Sequence, residues 1–166
     1  RRSHQLSKEI EGSLEISGQK IAIVGARFNE EITLRLVNGA VEALENLGVA
    51  EDAIQIIWVP GSFEIPLIAK SLALSKQFTS IICLGAVIKK ETAHFEYVST
   101  QMAAGIASVS LETQTPIIFG VLTTYNFSQA FERSGGNQGN RGYDGAITAI
   151  QMTNLITEIR QTYPEG

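Results

Sequence analysis

The fold is decided by the stretch Ser80-Ile-Ile-Cys-Leu-Gly-Ala-Val-Ile-Lys-Lys-Glu-Thr-Ala-His94, which passes from an apolar run through a charged turn toward a helix. The part up to Val87 has almost no polar side chains, which is typical of a central parallel strand covered on both faces. Thr92 is predicted to cap a helix that starts just after it. Because ligands of open α/β sheets bind beyond the carboxyl ends of the strands, we predict a binding site at this junction.

The turn itself favours an anion such as phosphate. Lys89 and Lys90 bring positive charge to it, and the first amides of the following helix point toward the same loop. His94 is a candidate for proton transfer, since imidazole changes its charge in the neutral pH range. On the turn alone, however, a solvated lysine corner and a histidine in a surface or packing role are the commoner explanations. The remaining loops have to decide between the two interpretations.

The same strand, loop and helix pattern recurs along the chain. The predicted strands are 20–26, 53–59, 80–87 and 117–123. The predicted helices are about 32–47, 63–76, 92–111 and 143–163, the last with Ile147, Ile150, Leu155 and Ile159 on one side. Alternating strands and helices predict an α/β fold with right-handed crossovers. We expect a three-layer α/β/α sandwich, flavodoxin-like, with a central four-stranded parallel sheet.

The ends and one internal segment depart from this pattern. Residues 1–12 are polar and are predicted to form an N-terminal arm, in which His4 is a tail residue, while residues 13–166 form one domain. Residues 13–17 alternate polar and apolar side chains, which predicts a short edge strand. Residues 134–142 contain four glycines and are predicted to be too flexible for a regular element.

Composition narrows the class of protein. The chain is 44% hydrophobic and 18% charged, with a net charge of −4 and scattered basic residues, so we expect no nucleic-acid partner. No apolar run approaches the length of a membrane span, so no membrane partner is expected. Cys83 is the single cysteine, which excludes an intrachain disulfide and offers no metal-ligand spacing. We predict a cytoplasmic location; because the sequence begins at Arg1, a processed plastid protein stays open.

The loops after the first three predicted strands converge on one rim of the sheet. They bring together two aromatic rings, a carboxylate, an amide and a cationic corner, which suit a flat ring, its hydroxyl substituents and a phosphate. The rim residues are Phe28, Asn29, Ser62, Phe63, Glu64, Lys89, Lys90, Thr92 and His94. The sequence therefore predicts a small-molecule pocket.

Four blocks in this order resemble the 6,7-dimethyl-8-ribityllumazine synthase family of riboflavin biosynthesis. The blocks are Arg27-Phe-Asn29, Pro60-Gly-Ser-Phe-Glu-Ile-Pro66, Gly85-Ala-Val-Ile followed by Thr92-Ala-His-Phe-Glu-Tyr-Val98, and Phe119-Gly-Val-Leu-Thr-Thr124 with Glu132-Arg133. The resemblance implies condensation of 5-amino-6-(D-ribitylamino)uracil with 3,4-dihydroxy-2-butanone 4-phosphate, with release of phosphate and water. It implies neither a metal nor an organic cofactor.

The resemblance also implies a role for each site residue. Phe28 would stack on the pyrimidine, Phe63 would line the pocket, and Glu64 would bind the ribityl hydroxyls. The ring and its substituents would be held by Asn29, Ser62 and the backbone of Val87 and Ile88. The Glu91 backbone and the Thr92 hydroxyl would donate to the phosphate, and His94 would move protons. Phe119 and Arg133 would come from the neighbouring subunit, with Arg133 gripping the phosphate.

Assembly is implied by the resemblance as well. Family members form pentamers, and many stack twelve pentamers into an icosahedral shell of sixty subunits that can enclose riboflavin synthase. The short glycine-rich turn resembles that of shell formers, so we expect the shell. Two positions depart from the common pattern, Lys90 in place of glycine and Asn137 in place of lysine, and we expect altered phosphate affinity at most.

Two other classes of protein fit parts of the pattern. A flavodoxin-like module would bind a flavin or nucleotide without catalysing a reaction. A cage protein with a decayed active site would assemble but would form no product. The joint presence of Phe28, Glu64, His94 and Arg133 favours the enzyme over the decayed cage.

Overall fold

The computed structural model describes residues 8–166 of the chain. The predicted N-terminal arm, residues 1–12, lies partly outside the described residues. His4 lies outside them. Residues 8–12 form neither helix nor strand. Within the described part, no helix combines the length and hydropathy that a membrane span requires.

The central sheet has four parallel strands, as the alternating pattern predicted. They are β1 (Ile21–Ala26), β2 (Ile54–Val59), β3 (Ser80–Ile88) and β4 (Ile117–Thr124), in the spatial order β2-β1-β3-β4. The helices are α1 (Glu30–Leu47), α2 (Ile65–Ser75), α3 (His94–Thr113), α4 (Phe127–Glu132) and α5 (Arg141–Thr162). Short 3₁₀ turns cover Glu51–Ala53 and Ser62–Glu64.

The strands are apolar on both sides because both faces of the sheet are covered. Helices α1 and α5 pack on one face around residues such as Ile23, Leu36 and Ile150. Helices α2 and α3 pack on the other face around residues such as Val24 and Met102. The predicted three-layer α/β/α architecture is confirmed, and the carboxyl ends of all four strands lie along one rim.

Residues 13–17 were predicted to form an edge strand, and within this chain that prediction is wrong. No strand of the described part pairs with them. Side chains hold the segment in place: the Asn154 amide donates to the carbonyls of Ser13 and Glu15 at 2.8 and 2.9 Å, and the Gln19 amide donates to Glu15 at 3.0 Å. The alternation therefore reflects an extended segment packed against α5.

The glycine-rich segment was predicted to lack regular structure, and it forms a small antiparallel ribbon. Its strands are β5 (Ser134–Gly136) and β6 (Gly139–Asn140). Gly139 makes the turn with a φ of 80°, which disfavours a side chain. Arg35 fixes the ribbon, because its Nε donates to Ser134 Oγ at 3.1 Å and its carbonyl accepts from the Asn140 amide at 3.1 Å.

Helix α5 buries only part of the side that carries its large apolar residues, since Ile147 and Ile150 reach the core at its first half. Ile150 is fully buried, whereas Ile159 is exposed. Small residues such as Gly142 and Ala149 are in the core. They let α5 approach α1 closely, because a β-carbon at Gly142 would overlap the Leu36 backbone.

Candidate active site

A cleft of about 840 Å³ lies at the carboxyl ends of β1, β2 and β3. It is bounded by the loops after β1 and β2, the end of β3 and the first two turns of α3. The predicted site residues that line it are Phe28, Ser62, Phe63, Glu64, Val87, Ile88, Thr92 and His94. The structure therefore brings together most of the residues that the sequence placed on one rim.

Two of the aromatic residues that line the cleft come from the loops after β1 and β2. Phe28 is 64% exposed and Phe63 is 57% exposed, so neither side chain belongs to the core. The loops that carry them are joined by a backbone hydrogen bond, in which the Phe28 N–H donates to the Pro60 carbonyl. Exposed rings at the mouth of a cleft can stack on a flat heterocycle without a change of fold.

Glu64 has a structural contact as well as a place in the cleft wall. Its Oε1 accepts from the Gly61 N–H at 2.9 Å, which closes the turn after β2. Ser62 is buried in the same turn. The turn therefore presents a fixed carboxylate to the cleft, close to an aromatic side chain.

The start of α3 differs slightly from the prediction. Ala93 occupies the N-cap position with helical dihedral angles and makes no side-chain capping bond. Thr92 lies one residue earlier, and its Oγ1 accepts from the His94 N–H at 3.4 Å. His94 is the first residue of α3 and is exposed, so its imidazole belongs to the cleft wall and not to the core.

Asn29 does not line the cleft. It adopts a left-handed conformation with a φ of 60°, and its Nδ2 donates to the Ala86 carbonyl at 2.7 Å. Its own carbonyl accepts from the amides of Ile32 and Thr33. Asn29 thus ties the loop after β1 to strand β3 and starts α1, which the sequence pattern did not indicate.

Three further predicted residues lie outside the cleft. Glu91 is exposed in the turn before α3. Phe119 is on the edge strand β4 and is 45% exposed. Arg133 follows α4, where its Nη1 donates to the Gln129 carbonyl at 3.1 Å.

The structure also adds residues that the sequence interpretation missed. Lys90, which the sequence placed on the rim as part of a cationic corner but not among the binding residues implied by the resemblance, lines the cleft. Tyr97, Val98 and Gln101 follow His94 along one face of α3 and line it too. Residues three, four and seven positions apart share a helix face, so this spacing was the signal that could have revealed them.

Metal and thiol chemistry have no visible candidates in this region. Among residues 8–166, no three His, Cys, Asp or Glu side chains cluster in a way that could hold a metal ion. Cys83 is fully buried in β3, and the loss of solvation on burial raises its pKa to about 12. The thiol is therefore protonated at neutral pH and cannot act as a nucleophile.

Comparison with known proteins agrees with the geometry. The sequence profile of the family described as 6,7-dimethyl-8-ribityllumazine synthase matches residues 18–157. Two Clostridium kluyveri proteins, from strains ATCC 8527 and NBRC 12016, carry the name 6,7-dimethyl-8-ribityllumazine synthase. Each is 53% identical to this chain over 152 residues, which cover 92% of the chain and 99% of the relative. The resemblance inferred from the four sequence blocks is thereby confirmed, and the chain belongs to the 6,7-dimethyl-8-ribityllumazine synthase family.

Proposed function

We propose that this chain condenses 5-amino-6-(D-ribitylamino)uracil with 3,4-dihydroxy-2-butanone 4-phosphate, giving 6,7-dimethyl-8-ribityllumazine, phosphate and water. The enzyme acts in riboflavin biosynthesis and belongs to the transferase class. Family membership supports the reaction, and one observation ties it to this chain: a single cleft joins exposed Phe28 and Phe63 to Glu64 and His94. Holding two reactants in register can supply much of the acceleration of such a condensation.

The pyrimidine occupies the aromatic part of the cleft in this proposal. Phe28 stacks on the heterocycle and Phe63 lines the pocket. Glu64 accepts hydrogen bonds from the ribityl hydroxyls, since its carboxylate is fixed by Gly61 at the cleft wall. The ring and its substituents are held by Ser62 and by the backbone of Val87 and Ile88. Asn29 contributes by anchoring the loop that carries Phe28.

The butanone phosphate occupies the side of the cleft next to α3. The Glu91 backbone N–H and the Thr92 hydroxyl donate to the phosphate from the turn, and the amides at the start of α3 favour an anion there. Lys90 adds a cation to this side of the cleft. His94 accepts and returns protons during imine formation and phosphate elimination.

A neighbouring subunit completes the site. Phe119 and Arg133 lie outside the cleft of their own chain, and we propose that they reach the cleft of the next subunit in a pentamer. The exposed apolar side chains support extensive subunit contact, with Leu67, Leu74, Leu111, Tyr97 and Tyr125 at least 60% exposed. Twelve pentamers then form a sixty-subunit shell, which can enclose riboflavin synthase in the cytoplasm.

The reaction is tested by mixing the purified protein with both substrates and following lumazine absorbance and fluorescence. We expect product formation that depends on both substrates and releases inorganic phosphate in equal amount. Flavin binding without lumazine formation would identify the flavodoxin-like binding module instead. A stable assembly without product would identify the decayed cage. Light scattering tests the shell separately, and a pentamer mass in phosphate buffer would contradict it.

Arg133→Ala is expected to weaken the binding of the butanone phosphate selectively. Hydrogen bonds to charged groups contribute about 1.5–3 kcal/mol, so the KM for the butanone phosphate should rise about tenfold or more, with little change in the KM for the pyrimidine. Arg160→Ala is the matched control, since that guanidinium donates to a backbone carbonyl, Gln114, at the other end of the sheet. Steady-state kinetics with each substrate varied in turn make the comparison, and equal KM values in the two variants would refute the role.

A further inference from the structure

Arg27 belongs to the first sequence block, yet its side chain has no part in the roles assigned above. Its guanidinium lies over the Trp58 ring of the neighbouring strand β2, with Cζ 4.0 Å from the ring centroid. Its Nη1 is also 3.2 Å from Glu30 Oε1. Both side chains of this ion pair are about half exposed, so the pair contributes little to stability by itself. The stack on the indole ring is the more specific contact of the two.

Trp58 is held against the sheet by its contact with the neighbouring strand β1. It is the register partner of Gly25 in the parallel pair of β1 and β2. A β-carbon at Gly25 would lie 2.9 Å from the ring, so the indole packs directly on the glycine backbone. The indole is therefore a fixed platform at the carboxyl end of β2, and the guanidinium rests on it.

Backbone hydrogen bonds continue past the ends of the two strands at this point. The Arg27 N–H donates to the Val59 carbonyl at 2.8 Å, and the Phe28 N–H donates to the Pro60 carbonyl at 2.9 Å. These bonds join the loop that carries Phe28 to the loop that carries Phe63 and Glu64. The Arg27 side chain, stacked on Trp58, lies directly beside these two hydrogen bonds.

We propose that Arg27 is a positioning residue for pyrimidine binding, acting through its stack on Trp58 to hold Phe28 at a fixed distance from the loop after β2. The inference rests on the proposed function, because it assigns the stack to the binding of that one substrate. A guanidinium is required for the task, since its planar face can lie on the indole whereas an ammonium is a point charge on a flexible stem.

The test uses variants that separate the stack from the ion pair. Arg27→Lys keeps the charge without the planar face, and Trp58→Leu removes the ring. We expect each to raise the KM for the pyrimidine about threefold to fivefold, which corresponds to a cation–π contact of about 0.5–1 kcal/mol. The kcat and the KM for the butanone phosphate should stay near wild type, and the double variant should be no worse than either single variant.

Two control variants keep parts of the arrangement. Glu30→Gln removes the ion pair and leaves the stack, and Trp58→Phe keeps an aromatic platform, so both should bind the pyrimidine nearly as well as wild type. Trp58 is the single tryptophan of the chain, so its emission reports on the stack. Acrylamide quenching should increase in Arg27→Lys and remain unchanged in Glu30→Gln.

Several results would overturn the inference. Equal increases in the KM for both substrates would indicate general loss of structure, additive effects in the double variant would uncouple the two residues, and a large effect of Glu30→Gln would assign the role to the ion pair. Calorimetric titration with the pyrimidine alone separates the inference from the proposed function. If wild type binds the pyrimidine but forms no lumazine, the function fails, while the Kd values of the variants still decide the role of the stack.

Discussion

His94→Ala is expected to lower kcat about a hundredfold or more, because positioned acid–base groups contribute about 10²–10⁴ in rate. The imidazole lines the cleft from the first residue of α3 and is exposed, so its removal should leave the fold intact. The KM for either substrate should change only a few fold, since the proposed binding groups are Phe28, Glu64 and those that would hold the phosphate. Steady-state lumazine formation, with each substrate varied in turn, measures both parameters.

A matched control exists because the chain has two histidines. His4→Gln removes the other imidazole, which was predicted to be a tail residue, and should retain full activity. Far-ultraviolet circular dichroism of both variants checks that the fold is preserved. A His94→Ala enzyme with near wild-type kcat would show that another group, or water, carries the protons.

Gly142→Ala is expected to cause a large decrease in the free energy of unfolding. Gly142 lies in the first turn of α5, and a β-carbon there would overlap the Leu36 carbonyl of α1. Because the obstacle is backbone, the two helices would have to separate, and we expect a cost of about 3 kcal/mol, the upper end of the usual range for overpacking. The better helix propensity of alanine recovers about 1 kcal/mol at most. We expect the thermal midpoint, at a fixed protein concentration, to fall by about 5–10 °C.

Gly145→Ala in the same helix is the control. Its nearest obstacle is a methyl group of Ile118 at 3.2 Å, which can move by a few tenths of an ångström. This variant should lose little stability, since higher helix propensity offsets the adjustment. If both variants melted at the wild-type temperature, the close approach of α1 and α5 at Leu36 would not exist in solution.

The sequence predicted the elements that periodicity and composition control. The four apolar runs became the four strands, and Gly48 ends α1 in the left-handed conformation expected of a glycine cap. The rim that holds Phe28, Glu64 and His94 followed from a general rule about parallel sheets. These predictions succeeded because burial on both faces of a sheet leaves a strong local signal.

Other predictions from the sequence were wrong, and some features could not be predicted from it, for an equally physical reason. The alternation at residues 13–17 resembled a strand, but the hydrogen bonds of that segment go to Asn154 and Gln19. The glycine-rich segment became a ribbon because Arg35 ties it down. In both cases one essential partner, Asn154 or Arg35, lies far away in sequence, so a local pattern could not identify it.

The sequence by itself determined the layers of this protein and the direction of its strands, because both depend on residue types repeated at fixed spacing. Its family followed from the resemblance of four sequence blocks. Only the tertiary structure decided the strand order β2-β1-β3-β4, the use of Asn29 as a loop anchor, and the stack of Arg27 on Trp58. Those features arise from contacts between side chains and backbone brought together by folding, and such contacts leave no periodic trace along the chain.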